Sequence, residues 1–228
     1  MGADDDKKQN NGIREIEKLG ALLLRVRCLS GAATLRTAIA EAFRYVALYY
    51  DTAYYLMGGV SGPQPIPGMT ATFQQRLGAE VANQFQVESE NQPDALVAAI
   101  GTGTGAIGLF RQFIDSAGAQ VGVLHGTKTL VLRHDEGQIL DSSCVSPDLN
   151  ISVVGPEVAN WKISGLVEIY PVTDEEARRG LDILSKYKKV KAGLDCSHAV
   201  IKAMEIAKEL GPVKHVILLA TGDDAIDT

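Results

Sequence analysis

Two short stretches of the sequence carry residue types suited to binding a small anion. The apolar run Ala95–Ile100 (ALVAAI) leads directly into Gly101-Thr102-Gly103-Thr104-Gly105, and the run Val213–Ala220 ends in Thr221-Gly222-Asp223-Asp224. Glycines let a backbone approach a ligand closely, and Thr104 offers a hydroxyl. The helix expected to start here would present free N–H groups with a partial positive charge, an arrangement that suits a phosphate. The spacing Gly103-Thr104-Gly105-Ala106-Ile107-Gly108 also satisfies GxGxxG, the fingerprint of a dinucleotide fold. That fingerprint wants an acidic residue at the end of the next strand for the ribose, and here the strand ends Val123-Leu124-His125-Gly126. A nicotinamide-dinucleotide (NAD) domain is therefore the weaker reading of the loop. A Walker-type loop is excluded, because no lysine follows the glycines.

Other chemistry-bearing residues read more plainly. Lys128 follows the second strand of the Gly-loop unit, but nothing in Gly126-Thr127-Lys128-Thr129 desolvates or aims its amine, so it reads as exposed. His198 reads as a capping or core histidine, Asp223 and Asp224 as a solvated loop, and Trp161 as core. Cys28, Cys144 and Cys196 lie far apart and are odd in number, with no CxxC or Cys/His spacing, so neither a metal site nor a disulfide framework can be read from them.

The elements that must position these residues follow from periodicity. Residues 1–12 (MGADDDKKQNNG) read as a polar, disordered or appended tail, and Ala21–Leu29 as a strand. A helix is expected from Thr34, with Leu35, Ala38, Ile39, Ala42, Phe43 and Val46 on one face. Gly58–Gly68 is too rich in Gly and Pro for regular structure, and a helix runs from Thr70 through Phe73, Leu77, Val81 and Phe85. Strand Ala95–Ile100, a helix through Ile107, Phe110 and Ile114, and strand Gln120–Leu124 form a strand–helix–strand unit. Such a unit makes a right-handed crossover and a parallel sheet. Residues His125–Asn160 read as loop-rich. Leu166–Val172 reads as a strand, followed by a capping box at Thr173 and Glu176 and a helix carrying Ala177, Leu181 and Leu184. A helix over Ser197–Leu210, stopped by Gly211-Pro212, precedes the last strand. The class is α/β with a mainly parallel, three-layer sheet.

Composition sets outer bounds. The chain has 228 residues, is 46% hydrophobic and 22% charged, and carries a net charge of −6, so it can bury a core but does not attract nucleic acid. No apolar run approaches the roughly 20 residues that span a bilayer. The start is polar, without the apolar stretch of a signal peptide. The expectation is a soluble cytoplasmic protein, or a plastid one if a transit segment has been removed, with no nucleic-acid or membrane partner.

Several segments together resemble one family. Ala98–Phe110 (AAIGTGTGAIGLF) resembles the phosphate loop of the tryptophan synthase β chain, a pyridoxal phosphate (PLP) enzyme, which writes it Gly-Gly-Gly-Ser-Asn-Ala-Ile-Gly after a strand. Ser30–Leu35 (SGAATL) is similar to its Gly-Ser-Ala-Thr-Leu turn. Tyr50–Gly62 (YDTAYYLMGGVSG) with Pro63-Gln64-Pro65 is similar to its Tyr-Glu-Thr-Ala-His-Tyr segment and the Gly-Pro-His-Pro that follows. Val153-Val154-Gly155-Pro156-Glu157 resembles its Ser-Val-Gly-Pro turn. Leu194-Asp195-Cys196-Ser197-His198-Ala199 resembles its Leu-Glu-Ser-Ser-His-Ala helix start. All five occur in family order.

The resemblance implies the C-terminal part of a fold type II PLP enzyme, over residues 13–228, a lyase family of amino-acid biosynthesis. The family reaction joins L-serine, through a PLP aminoacrylate, to indole to give L-tryptophan. By position, Gly101, Thr102, Gly103, Thr104 and Gly105 would hold the cofactor phosphate. Asp195 would stand where a glutamate lies beside the ring, and Ala220 or Thr221 where a serine hydroxyl meets the pyridine nitrogen. Partners implied are the tryptophan synthase α chain or a complete β chain, with self-association through surface that would otherwise be covered.

The departures bear on activity. The family lysine that bonds the cofactor lies well over a hundred residues upstream of the Gly loop, and no His-Lys pair occurs in this sequence. The resemblance therefore covers a truncated chain with no catalytic residue to name, and implies non-covalent PLP at best. Thr102 replaces the middle loop glycine, Gly105 an asparagine that helps hold phosphate, and Asn150 an aspartate that helps close the site. The expectation is a protein inactive on its own; a phosphate-ligand or partner-binding pseudoenzyme is the alternative.

Overall fold

The structure, a computed structural model, describes residues 1–6, 9–28, 31–89, 92–114, 129–142, 144–186 and 192–222. Its framework is a pair of parallel strands with helices packed around it. Strand β1 (Ala95–Val97) pairs with β2 (Val216–Leu218) in the register Ala95↔Val216, Leu96↔Ile217 and Val97↔Leu218. The bond from Leu219 N–H to the Val97 carbonyl, 2.9 Å, carries the pairing one step further. Both strands are shorter than the apolar runs that contain them. Beyond Val97 the chain turns into the glycine loop, and β2 gives way to Thr221 at the same end of the sheet.

Helix α9 (Leu194–Leu210) backs the strands. Its small residues Ala199 and Ala203 are buried against Val97, with Ala99, Val216 and Leu218 completing that core. Helix α8 (Asp174–Lys186) packs on α9 through Leu184, Cys196 and Val200. The two helices meet closely at Gly180, where an added Cβ would stand 2.2 Å from the Ser197 carbonyl oxygen. The capping box read from the sequence starts α8: Thr173 N–H and Oγ1–H each donate to Glu176 Oε2 at 2.8 Å, and Glu176 N–H donates back to Thr173 Oγ1 at 3.3 Å.

A second core lies around α6 (Thr104–Phe110), where Ile107 is fully buried with Val60, Ala71, Val158 and Trp161. It joins α4 (Ile66–Gln74) and α7 (Pro156–Ile163), and the Arg111–Glu157 ion pair at 3.0 Å ties the end of α6 to α7. Burial pushes the Glu157 carboxyl up, and Arg111 opposes that shift. The helix expected from Thr70 to Phe85 is two helices, α4 and α5 (Arg76–Glu88), separated at Gln75. Packing accounts for the break: a Cβ on Gly78 would meet the Leu109 carbonyl at 2.6 Å, and one on Gly108 would meet the Gln74 carbonyl at 2.9 Å. Both helices thus pass α6 at backbone distance, which one straight helix would not allow.

Three other expectations change. Residues 1–12, read as a polar tail, contain α1 (Ala3–Asp6) and the start of α2 (Asn10–Lys18), with Asp5 buried. Ala21–Leu29 is not a sheet strand over its described residues: Val26 bridges Gly2 alone, and Leu22 and Leu24 are 86% and 60% exposed. A strand needs a neighbour to pair with, and only the first few residues supply one. Leu166–Val172 likewise makes no ladder among the described residues. With β1 it lines a cavity of about 760 Å³, bordered by Ala95, Val97 and Ile100 and by Leu166 and Ile169. Strand Gln120–Leu124 lies outside the described residues. Helix α3 (Leu35–Leu48) starts after Thr34 as expected, yet none of its residues is fully buried. From 129 to 155 the described chain is irregular, with bridges Val131↔Val153 and Arg133↔Ile139 and one short turn at Pro147–Leu149.

The capping box has a pH signature. Hydrogen bonds from Thr173 hold the Glu176 carboxyl below its ordinary range. A folded-state value below the unfolded one stabilises above the unfolded pKa and is lost as pH falls through the folded one. Thr173→Ala should therefore destabilise the chain at neutral pH, and its deficit against the parent should shrink in acid. Urea titrations of both proteins between pH 7 and pH 3 measure that difference.

Candidate functional site

The glycine loop is positioned by contacts that leave no room for side chains. Gly103 caps α6 with φ of 98°, in the left-handed region, and accepts the Ile107 N–H at 2.9 Å. A Cβ on Gly103 would stand 2.6 Å from Val158 Cγ2, one on Gly101 2.4 Å from the Asp148 carbonyl oxygen, and one on Gly105 2.9 Å from Leu219 Cδ2. The loop is thus wedged between α7, the turn at Asp148 and the end of β2. Gly155 N–H donates to the Thr102 carbonyl at 2.7 Å, and a Cβ on Gly155 would meet the Val60 carbonyl at 2.8 Å. Hydroxyls Thr102 Oγ1 and Thr104 Oγ1 stand 3.1 Å apart on the loop.

The loop amides are the notable donors. None of the N–H groups from Gly101 to Ala106 meets an acceptor among the described residues. Orphan donors at a helix start are normally satisfied by a cap, by water or by an anion. No side chain caps α6. Open amides, two hydroxyls and three positions without a Cβ fit a phosphate group.

The end of β2 meets the start of α9 beside this loop. Thr221 Oγ1 donates to Asp195 Oδ2 at 2.5 Å, Cys196 N–H donates to Asp195 Oδ1 at 2.8 Å, and Gly193 N–H donates to the Thr221 carbonyl at 2.9 Å. The position of a Cβ on Gly105 is 4.0 Å from Thr221 Cγ2, so Thr221 borders the glycine loop. Of the two residues considered at this strand end, Thr221 brings a hydroxyl to Asp195, and Ala220 is exposed with no polar side-chain atom. Cys196 is fully buried below, and burial pushes its thiol up to about 11, which makes it an inert core group at neutral pH.

Asn150 is buried, and its Oδ1 has no hydrogen-bond partner in the described structure. It follows the Pro147–Leu149 turn that wedges Gly101. Trp161 is core, as expected from the sequence. Lys128, Asp223 and Asp224 lie outside the described residues. His198 is a buried helix residue whose Nδ1 bonds the Leu194 carbonyl at 2.9 Å. It also does what its sequence position did not suggest: Nε2 stands 3.5 Å from Cys144 Sγ, with the Asp174 carboxylate close by. No local spacing signals this cluster, because its members come from three separate segments.

Comparison with known proteins agrees with the ordered motifs. The family model described as "Pyridoxal-phosphate dependent enzyme" matches residues 5–222. A "Tryptophan synthase beta chain" of Streptomyces coelicolor is 34% identical over all of this chain and 59% of its own length. One from Vesicomyosocius okutanii is 34% identical over 97% of this chain and 61% of its own length. The "Tryptophan synthase" of Saccharomyces cerevisiae is 34% identical over 97% of this chain and 35% of its own length. The chain therefore spans about three-fifths of the bacterial relatives, and a smaller share of the yeast one. Among the described residues no helix is long and apolar enough to cross a membrane.

The wedge makes a stability prediction with an internal control. Gly20 has φ of 78° but open space around its Cβ position, whereas Gly103 combines φ of 98° with a clash. Gly20→Ala should cost the backbone strain alone, about 1–2 kcal/mol. Gly103→Ala should add an overpacking cost of about 1–3 kcal/mol. Chemical denaturation of the two variants measures the difference; equal losses would show that the loop is not wedged against α7.

Proposed function

Because the chain belongs to the family of pyridoxal-phosphate dependent enzymes, with its fold type II α/β architecture, we propose that it is a tryptophan synthase β-like protein whose residues hold PLP by its phosphate and ring. The observation that carries this reading is the meeting of the open-amide loop with the Thr221–Asp195 pair at one end of the parallel strands. When bound, PLP supplies the electron sink through which this family's chemistry on amino acids runs.

The chain's own residues divide the work. Amides of Gly101 to Ala106, with Thr102 and Thr104 hydroxyls, take the phosphate; Gly103 and Gly105 keep the backbone close. Thr221 has its proton committed to Asp195, so its oxygen offers lone pairs, and the pair favours a ring nitrogen that carries a proton. Asp195 is itself steadied by the Cys196 N–H. None of the four histidines in the sequence is followed by a lysine, so the residues present hold the group without the family's covalent link. Serine-plus-indole turnover by this chain alone is accordingly not expected. A phosphate-ligand or partner-binding pseudoenzyme is the second reading, favoured by that same departure. An NAD-binding domain is the least supported, for want of the ribose-binding acid.

Titration of the purified chain with PLP, then borohydride reduction and intact-mass analysis, tests this. Saturable binding without a single-lysine adduct, weakened severalfold in Thr104→Val and Thr221→Val, is expected. A stoichiometric adduct with turnover would replace the reading with that of a covalent enzyme, and no binding at millimolar PLP would leave a partner-binding role. NAD binding in the same assay would revive the dinucleotide reading.

Exposed apolar surface supports a partner. Leu48 and Tyr50 are 75% exposed, and Tyr54 and Leu56 are 86% exposed, at the end of α3 and in the segment after it. Large exposed apolar residues clustered along a segment in this way are what an interaction surface would use. The proposed occupants follow the relatives, a second copy or complete β chain and an α chain, with self-association the outcome for the chain alone. Light scattering across a concentration series should show mass growing beyond the monomer; a monodisperse monomer throughout would remove this part of the reading.

A further inference from the structure

Away from the phosphate loop, three side chains of metal-ligating type converge from distant parts of the sequence. Cys144 Sγ, a carboxylate oxygen of Asp174 and His198 Nε2 all lie within 4.8 Å of one another. We propose that Cys144, Asp174 and His198 bind a divalent zinc-class metal ion, with a fourth position open to water or an exogenous ligand.

The histidine is prepared for this role. Its Nδ1 stands 2.9 Å from the Leu194 carbonyl, one turn earlier on α9, and a carbonyl can only accept. Nδ1 therefore carries the proton, and Nε2 presents its lone pair toward Cys144. Metal-binding histidines are held in this way, by a carbonyl or carboxylate on the other ring nitrogen. His198 is also buried, so its ring has little freedom to lose.

The distances agree with coordination. Bonds of about 2.3 Å to sulfur and 2.0–2.1 Å to nitrogen at a tetrahedral angle put the two donor atoms about 3.6 Å apart. Cys144 Sγ and His198 Nε2 are 3.5 Å apart. Asp174 Oδ1 accepts the Val145 N–H at 3.1 Å, which aims the carboxylate at the residue next to Cys144. A thiolate, an imidazole and a carboxylate make a mixed donor set of intermediate softness, suited to zinc or cobalt more than to magnesium or calcium. On loading, the Cys144 S–H bond breaks, its proton leaves to solvent and a metal–sulfur bond forms, with no change of oxidation state.

The placement gives the ion a structural consequence. Cys144 precedes the turn whose Asp148 carbonyl wedges Gly101, Asp174 begins α8, and His198 lies three residues beyond Asp195 on α9. One ion would fasten that turn to both helices.

Zinc and cobalt titrations of the full chain, under reducing conditions and against a chromophoric chelator, test the site. The parent should bind one ion per chain, with a thiolate-to-cobalt charge-transfer band and a Tm that rises with zinc. Cys144→Ser and Asp174→Asn should each weaken binding roughly 100-fold, at or above the top of the 10–100-fold range for loss of an outer-shell partner. Both should keep the parent's circular dichroism, and Cys28→Ser should bind as the parent does. These two variants carry the test, since His198→Gln alters a buried position. Absence of a one-to-one complex, or parental affinity in Cys144→Ser, would overturn the proposal. Parental affinity in Asp174→Asn alone would overturn the three-ligand set.

Discussion

The feature on which the rest of the structure depends is the absence of a Cβ atom at Gly101, Gly103 and Gly105. Three neighbours occupy the space those atoms would take: the Asp148 carbonyl, the Val158 side chain and the Leu219 side chain. Each belongs to a different part of the chain, and each is brought in by its own anchor. Gly155 is bound to the Thr102 carbonyl and starts α7, Leu219 continues the pairing of β2 with β1, and the Pro147–Leu149 turn presents its backbone to Gly101. The loop is a keystone held by van der Waals exclusion and a few backbone hydrogen bonds, and its amides meet no acceptor among the described residues. Removing the close approach at any one glycine would move a wall of the site.

Helix α9 is the second organising element. Its small residues let three partners approach, with Gly180 of α8 on one side and Ala199 and Ala203 against the strands on another. Its first turn carries Asp195 to Thr221, and its second carries His198 to Cys144. Two clusters of different chemistry are therefore fixed by one rigid body. Burial sets Cys196 apart as a protonated core thiol, while Cys144 is part-buried with its Sγ 3.5 Å from the His198 imidazole.

Much of this was legible in the residues. Glycine at alternate positions directly after an apolar run marked a strand-to-helix loop with an accessible backbone, and Thr173 with Glu176 predicted a capping box that forms as read. These are local features, decided by φ/ψ limits and by hydrogen bonds spanning three or four residues. The same local reading overreached where an element needs a neighbour. Ala21–Leu29 and Leu166–Val172 have strand composition, but a strand exists only by pairing, and Leu22 and Leu24 remain in solvent. The helix from Thr70 was right in kind and wrong in continuity, because the break at Gln75 answers to the close passage of α6, not to any helix breaker in the sequence.

What the sequence by itself determined was the α/β class, the family through its five ordered motifs, and the residue types gathered at the glycine loop. What only the tertiary structure decided was which distant groups meet. Thr221, not Ala220, brings its hydroxyl to Asp195, and Cys144, Asp174 and His198 share one site although 30 and 24 residues separate them in turn. Covalent geometry and local hydrogen bonding act over a few residues and are written in spacing. Contacts between remote residues are set by how whole elements pack, and spacing along the chain holds no record of that.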